Sequence, residues 1–509
     1  MPAKVVVIGF DSMEATLVER WASEGRLPTF RALGESGTLF RPKNRVDTLP
    51  STIWEELTTG RLGGTIGWYW NRCQVIAGEA QLRQAREGDA DLTAVWTLAS
   101  DAGRTVAALD VPQAAPAPGL NGVQLREWGN HETAFGFGSE PPAFADEVVR
   151  RFGEYPGPRG DDCEVHPTDE DYRRLQTGLL EATDAKGRMY RTLLDEREWD
   201  LYFAAFTESH CVSHQFWRFF DESAEWFEAD AASDLRTAIP DIYTRLDSSL
   251  DHVLAGVDED TTVFVVLSHG MGPSVGGPQT LPEVLVRLGY ASGHGAASNV
   301  RGRLPAPVKR AIKAVVRGPV RRRLQAAAGS LPQPLESPLT RALAVPNGRC
   351  GAIRLNLRGR DPFGTIEPGA EYDEVCAGLA EAIEELEHAD TGEPAVVSVV
   401  RTDSVYGERT HPNIPDLIVR FDQSRPITSV KSDRVGTVAT PIEEHTIERS
   451  GDHTPESRIW VRGPGIPRGN VIEGGDVLDL GPTILELLGV PVPEALDGKP
   501  LRLTATAVA

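Results

Sequence analysis

Three runs of strand-forming residues in this chain each end close to a side chain that can bind a metal ion. The runs and side chains are residues 5–8 with Asp11, 201–206 with His210 and His214, and 263–267 with His269. A further histidine, His453, stands in a predicted polar turn, Gly-Asp-His-Thr-Pro. Because the carboxyl ends of parallel strands meet at one edge of a sheet, these distant residues are predicted to share one site. The pattern indicates a metallohydrolase.

The alternation of strand and helix patterns constrains the fold. Residues 4–9 are nearly all Val and Ile, which is typical of a strand buried on both faces. Further strands are predicted at 104–109, 201–206, 262–267 and 458–461, and helices at 178–198, 239–255 and 477–489. This order predicts an α/β fold with a doubly wound, mostly parallel sheet.

A basic segment interrupts this pattern. Nine Arg and Lys residues lie between positions 301 and 323, although the chain carries a formal net charge of −22. The segment is interpreted either as a solvated surface helix or as a lid or docking surface for an anionic substrate. We predict a first part of the core over 1–290, an inserted basic segment or smaller α+β cap over 291–360, and the remainder of the core over 361–509.

Composition excludes several classes of function. A chain of 509 residues with 40% hydrophobic and 25% charged residues is typical of a globular protein. Its strongly negative charge argues against binding a nucleic-acid polymer. Five cysteines without a CxxC pair favour a reducing compartment, and the sequence shows neither a leader nor a membrane-spanning run. We therefore predict a cytoplasmic protein that does not bind membranes.

His210 and His214 are the strongest local signal for a metal site. Their spacing of four residues puts both imidazoles on one face of a predicted helix, and Glu208 adds a carboxylate two residues earlier. Each candidate also has a structural interpretation. Asp11 is well placed to cap a helix, and each histidine on its own is more often structural than a ligand. Four of the eleven histidines are nevertheless predicted at strand ends, which favours metal binding.

The segment 45–60 supplies hydroxyl groups ahead of a predicted helix. The free N–H groups at a helix amino terminus stabilise an anion, and a metal ion can activate a hydroxyl placed there. Thr48, Ser51 and Thr52 are the candidate nucleophiles. Thr52 followed by Glu55 also matches a capping box, which is the structural alternative.

Taken together, these segments resemble the alkaline phosphatase superfamily, specifically its type I phosphodiesterase/nucleotide pyrophosphatase branch. The resemblance runs from Val-Ile-Gly-Phe-Asp at 7–11 through Thr-Leu-Pro at 48–50 to Leu-Gly-Val-Pro-Val-Pro at 488–493. It implies a divalent-metal site, with zinc as the expected ion, around a Thr or Ser nucleophile. In the family pattern one metal is bound by Asp11, His269 and the nucleophile, and the other by residue 210, His214 and His453.

Two departures from the family pattern bear on the number of metal ions. The family has Asp at the position of His210, and an Asp-His pair where this chain has Ser268 and His269. Serine is a poor ligand, so one metal lacks a carboxylate unless Glu208 supplies it, and the alternative is a site with one ion. The family's Thr-aromatic-Pro element is matched by Thr-Leu-Pro, which favours Thr48 as the nucleophile.

The leading prediction is a metal-dependent hydrolase of phosphate mono- or diesters, or of related sulfate or phosphonate esters, acting on a small anionic substrate. One alternative is a drifted member of the superfamily with an altered metal site and a non-hydrolytic or transfer reaction. Another is a non-catalytic binding protein on the same scaffold. Metal content separates both catalytic hypotheses from the binding protein. The sequence does not identify the residues that bind the substrate.

Overall fold

A computed structural model of the chain describes residues 3–70, 74–79, 82–84, 86–129, 134–158, 168–224, 227–291, 339–440 and 449–503. The basic segment at 301–323, with its predicted role as a lid or docking surface, lies outside them.

The described residues form twenty strands. The first ten are β1 (Val5–Phe10), β2 (Thr38–Lys43), β3 (Gln74–Val75), β4 (Leu82–Arg83), β5 (Val106–Leu109), β6 (Gly122–Arg126), β7 (Gly138–Glu140), β8 (Leu201–Phe206), β9 (Thr262–Leu267) and β10 (Gly270–Pro273). The others are β11 (Ala342–Val345), β12 (Gly351–Leu355), β13 (Glu387–His388), β14 (Val396–Arg401), β15 (Leu417–Phe421), β16 (Ser429–Ser432), β17 (Gly436–Ala439), β18 (Gly451–Thr454), β19 (Arg458–Arg462) and β20 (Asn470–Asp476).

The α-helices of the same residues cover both faces of the main sheet or pack on the smaller ones. They are α1 (Ala15–Ser23), α2 (Pro28–Ser36), α3 (Ile53–Thr59), α4 (Gly63–Ile66), α5 (Val95–Asp101), α6 (Ala143–Phe152), α7 (Asp169–Asp195), α8 (Glu208–Phe220), α9 (Ser233–Arg236), α10 (Ala238–Leu254), α11 (Leu281–Arg287), α12 (Ala370–Glu384), α13 (Thr402–Tyr406) and α14 (Leu480–Leu487). In the described part of the chain, no helix is both long and apolar enough to span a bilayer.

One large sheet contains nine of these strands, in the order β20-β2-β19-β9-β1-β8-β5-β6-β7. Its central strand β1 pairs in parallel with β8 and β9. β19 runs antiparallel to β9 and β2, and β7 runs antiparallel to β6. All six residues of β1 are buried, as its run of Val and Ile predicts for a strand covered on both faces. The predicted doubly wound, mostly parallel α/β fold is confirmed.

Alternate residues of β1 pack into two hydrophobic clusters, one on each face of the large sheet. Val6, Ile8 and Phe10 pack with residues of α2, α7, α8 and α10. Val5 and Val7 pack with residues of α3, α5 and α14. This double cover fixes β1 between its neighbours, so the carboxyl ends of β1, β8 and β9 lie side by side.

A smaller α+β unit is inserted between β9 and β19. It contains the antiparallel sheet β11-β12-β15-β14 and the three-stranded sheet β13-β16-β17, and α11 and α12 pack against them. The structure places residues 361–440 in this unit, whereas the sequence predicts that the core resumes at 361. The reason is that β12 pairs with β15, and the chain returns to the large sheet only at β19.

Candidate active site

Three histidine side chains form a compact cluster beside the carboxyl edge of the large sheet. His210 and His214 lie one turn apart on α8, directly after β8, and His453 lies on β18. The Nε2 atom of His214 is 3.1 Å from that of His210 and 3.2 Å from that of His453. One ligand atom of each residue lies within 4.8 Å of the others, a spacing that fits one metal ion.

The strand β18 brings His453 to α8. The sequence predicts a polar turn here, but residues 451–454 pair antiparallel with β10. A Cβ atom at Gly451 would come within 2.3 Å of the carbonyl oxygen of Ser213, so only glycine allows this close approach. Nδ1 of His214 donates to the carbonyl oxygen of Gly451 at 2.6 Å. Nε2 of His214 therefore carries the lone pair that faces the cluster, the orientation expected of a metal ligand.

Asp11 and His269 lie at the ends of β1 and β9 and form the other half of the site. Their Oδ1 and Nδ1 atoms are 4.0 Å apart, and the ring of His269 lies 4.3 Å from that of His453 between centroids. The Ser268 hydroxyl links them, donating to Asp11 Oδ1 at 3.3 Å and lying 2.9 Å from His269 Nδ1. In the described ranges, the three histidines are the one group of three or more such side chains with metal-binding spacing.

A tryptophan that the sequence analysis missed orients Asp11. The indole N–H of Trp54 donates to Asp11 Oδ1 at 2.8 Å. Its ring lies against β1 in the space left by Gly9, where a Cβ atom would come within 2.6 Å of the ring. A glycine inside a run of Val and Ile is the signal that another group approaches the strand closely.

Glu208, by contrast, does not join the histidine cluster. Its Oε1 atom lies 3.3 Å from Nζ of Lys186 and accepts a hydrogen bond of 2.9 Å from the hydroxyl of Tyr155. Lys186 also lies 2.9 Å from Oδ2 of Asp110, and all three charged side chains are fully buried. Burial and the charge of Glu208 raise the pKa of Tyr155 well above its usual value, so its hydroxyl stays protonated and donates.

This buried network predicts a large loss of stability in Lys186→Met. Methionine matches the length of lysine but leaves Asp110 and Glu208 buried without a cation, which typically costs about 3 to 5 kcal/mol. Lys4→Met is the matched control, since Lys4 also pairs with two carboxylates, Glu198 and Asp258, but at the surface. Surface pairs contribute less than about 1 kcal/mol. Urea unfolding of both variants measures the difference, and equal midpoints would contradict the prediction.

The three candidate nucleophiles differ in their surroundings. Thr48 is 3% exposed, and its hydroxyl oxygen accepts a hydrogen bond of 3.1 Å from the guanidinium of Arg420. Thr52 donates its hydroxyl to the carbonyl oxygen of Leu49 at 2.9 Å. It precedes α3 without capping it through its side chain, so the capping box is not formed. Ser51 is half-buried in the intervening turn.

Two arginines that the sequence analysis missed lie at the histidine cluster, and one of them also reaches Asp47, the neighbour of Thr48. Arg349 lies 3.5 Å from Asp47 Oδ1 through its Nε atom and donates to the carbonyl oxygen of His453. Arg449 lies 2.8 Å from Nε2 of His214. No local sequence pattern identifies these arginines, because each lies far along the chain from the groups it contacts.

The imidazole of His453 is neutral although the charges around it are positive. Burial, His269, His214 and the two arginines hold the pKa of His453 well below its usual range, so the imidazole is neutral and able to bind a metal. Burial raises the pKa of Asp452, the neighbour of His453, while Arg449 and Arg349 oppose that rise.

Comparison with protein families identifies the class. The type I phosphodiesterase/nucleotide pyrophosphatase family matches residues 5–455. The chain belongs to this family. The match covers the strands that carry Asp11, His269 and His453, and it confirms the resemblance drawn from the motifs. Members of this family are phosphoester hydrolases, which supports an enzyme of that class.

Two solved structures, the first two described here, share the fold. Wild-type alkaline phosphatase PafA is 14% identical, with 99% of each chain covered and a TM-score of 0.54. Phosphonoacetate hydrolase from Sinorhizobium meliloti 1021, in complex with phosphonoformate, is 13% identical over 96% of this chain and 95% of that chain, with a TM-score of 0.50. An inactive murine ectonucleotide pyrophosphatase/phosphodiesterase 5 in complex with AMP is 11% identical over 98% and 97%, with a TM-score of 0.48. No curated protein sequence matches the chain.

Proposed function

We propose that this member of the phosphodiesterase family is a metal-dependent hydrolase of small phosphate esters with Thr48 as its nucleophile. The observation that carries the proposal is the three-histidine cluster beside Asp11 and His269 at the carboxyl edge of the sheet. Neutral imidazole nitrogens suit zinc among the common divalent ions, so we expect zinc on His210, His214 and His453. A bound metal ion supplies Lewis-acid stabilisation of the phosphoryl oxygens.

The residues of this chain position the nucleophile and the phosphoryl group. Asn347 donates to the carbonyl oxygen of Thr48 at 2.8 Å, and Arg420 donates to its hydroxyl oxygen, so both ends of Thr48 are fixed. Thr48 Oγ1 attacks phosphorus as its proton passes to solvent. The bond to the ester oxygen breaks, and that oxygen leaves with the electron pair and takes a proton. Water then hydrolyses the bond between phosphorus and Thr48, restoring the hydroxyl and releasing phosphate from a monoester substrate or a phosphate monoester from a diester.

A small anionic ester is the proposed substrate class. The positive charges of Arg349, Arg420 and Arg449 lie around Thr48 and the histidines in a chain with a net charge of −22. Such local positive charge attracts an anion that the rest of the surface repels. The complex of a solved neighbour with phosphonoformate supports a small anionic ligand.

A panel of chromogenic esters tests the proposal. We expect hydrolysis of p-nitrophenyl phosphate or bis-p-nitrophenyl phosphate to exceed that of p-nitrophenyl sulfate and p-nitrophenyl phenylphosphonate. Chelation should abolish hydrolysis of the phosphate esters, and added Zn²⁺ should restore it, because a bound zinc ion compensates the negative charge of the phosphoryl group. Bound metal without turnover on any ester would favour the drifted member of the superfamily. Absence of both metal and turnover would favour the binding protein.

A further inference from the structure

We infer that the site holds one metal ion, on the three histidines, and that the guanidinium of Arg420 provides the positive charge at the Thr48 hydroxyl where the family pattern implies a second metal. The inference rests on the proposed hydrolysis by Thr48. It assigns a catalytic role to a residue of the smaller α+β unit, whereas the ligands of the family pattern lie at the carboxyl edge of the large sheet.

The residues around Asp11 do not fit a second metal ion. Among the residues that the structure describes, the side chains there are Asp11 and His269, with the neutral hydroxyls of Ser12 and Ser268 beside them. Protein zinc sites use three or four side-chain ligands, and serine is not among the usual ones. Oδ1 of Asp11 already accepts hydrogen bonds from the indole of Trp54 and the hydroxyl of Ser268. These donors hold the carboxylate without a metal.

Arg420 reaches Thr48 because of the alternation of side chains along β15. Leu417, Val419 and Phe421 point into the core of the smaller unit. Ile418 points to the opposite face and packs in a cluster that includes Leu49. Arg420 shares that face, since successive residues of a strand alternate. Because this face packs against the segment before α3, the guanidinium of Arg420 lies next to the predicted nucleophile.

Two hydrogen bonds fix the guanidinium of Arg420. Its Nε atom donates to the carbonyl oxygen of Asp47 at 2.8 Å, and its Nη2 atom donates to Oγ1 of Thr48 at 3.1 Å. Both acceptors are neutral oxygens, so neither cancels the positive charge. A guanidinium stays protonated throughout the pH range of enzyme assays. Arg420 thus offers a fixed positive charge on the attacking atom.

That charge favours the reaction at two stages. A charged donor binds an alkoxide more strongly than a hydroxyl, so it lowers the pKa of the attacking group. As the phosphoryl group reaches Oγ1, the same donor lies beside the oxygens on which negative charge is distributed. It is already oriented before substrate binds, so little reorganisation is needed in the transition state. These are the two contributions that a metal ion on the nucleophile makes in the family pattern.

Metal stoichiometry is the first test and needs no substrate. The parental protein, saturated with Zn²⁺ and freed of excess by gel filtration, is expected to retain one ion per chain by elemental analysis. Ser268→Ala is expected to retain the same amount, because Ser268 does not hold an ion. Two ions in the parental protein, or loss of an ion in Ser268→Ala, would overturn the inference.

The second test compares Arg420→Met with Arg425→Met. Arg425 belongs to the same unit but pairs at the surface with Asp390 and Glu393, which makes it the matched control. Arg420→Met is expected to lower kcat about 100- to 1,000-fold, the effect typical of removing one donor to a developing oxyanion. It should also weaken the binding of inorganic vanadate, measured by calorimetry, by about tenfold or more. Zinc content should remain parental, and Arg425→Met should change neither kcat nor vanadate affinity.

Arg420→Gln separates charge from hydrogen bonding. Glutamine keeps an N–H donor but is neutral, and it is better tolerated at a half-buried position if the methionine variant does not fold. We expect it to be nearly as slow as Arg420→Met with parental zinc content. Parental kcat in either neutral variant, or a matching loss of zinc, would overturn the role of Arg420. In that case the proposed hydrolysis by Thr48 would be unaffected. If instead no ester of the panel is hydrolysed, the zinc content and the vanadate affinity still test the roles of the single metal ion and of Arg420.

Discussion

Thr48→Ala is expected to lower kcat on the best phosphate ester by about a thousandfold or more. Loss of a covalent nucleophile removes the attacking atom itself, and residual catalysis then comes only from binding and charge stabilisation. Zinc content and folding should stay close to parental, because the side chain that is removed contributes one hydrogen bond, worth about 1 kcal/mol. Steady-state kinetics with elemental analysis of the same samples provides the measurement.

Ser51→Ala and Thr52→Ala are the matched controls for this experiment. Thr52 donates its hydroxyl to the carbonyl oxygen of Leu49, so its loss should affect stability more than rate. Both variants are expected to keep kcat within a few-fold of the parental value. A collapse of activity in either control, with Thr48→Ala near parental, would move the nucleophile to that position. Near-parental turnover in all three would exclude covalent catalysis from this segment.

His214→Ala is expected to remove most of the bound zinc and to lower turnover to the level of the chelated protein. His214 contacts both other histidines, at 3.1 and 3.2 Å, so its loss leaves two ligands where a zinc site needs three. His453→Ala should behave in the same way. Elemental analysis and the ester assay on matched preparations measure both effects.

His252→Ala is the control for the two histidine variants. His252 lies on the exposed side of α10, outside the histidine cluster. It should therefore retain parental zinc and turnover. Equal zinc in the parental protein, His214→Ala and His453→Ala would contradict the assignment of the metal site.

The central strands of the fold were predictable because each carries its own signal. β8 and β9 occupy the predicted ranges 201–206 and 262–267, where continuous apolar runs can hardly form anything but buried strands. The helix that carries His210 and His214 follows β8 as predicted. In contrast, α7 begins at Asp169, well before the predicted start at 178, since its first turns are acidic and polar and show little apolar periodicity. There, Thr168 accepts the N–H of Asp171 and caps the helix.

The parts of the site that were missed depend on contacts between distant segments. The strand around His453 forms only because β10 offers an edge, and neither segment is strand-like on its own. Arg420 acquires its contact with Thr48 from the packing of β15 on residue 49, more than 360 positions earlier. Glu208 has the expected chemistry of a ligand, but its carboxylate pairs with Lys186, whose burial no local pattern indicates.

The contact between Gly9 and Trp54 limits how this enzyme can diverge. Any enlargement at position 9 would collide with the indole ring, and a smaller ring at position 54 would release the hydrogen bond to Asp11. A substitution at either position therefore requires a compensating substitution at the other. A substitution at Gly9, inside a buried strand, would therefore also displace the group that orients Asp11 at the reaction centre.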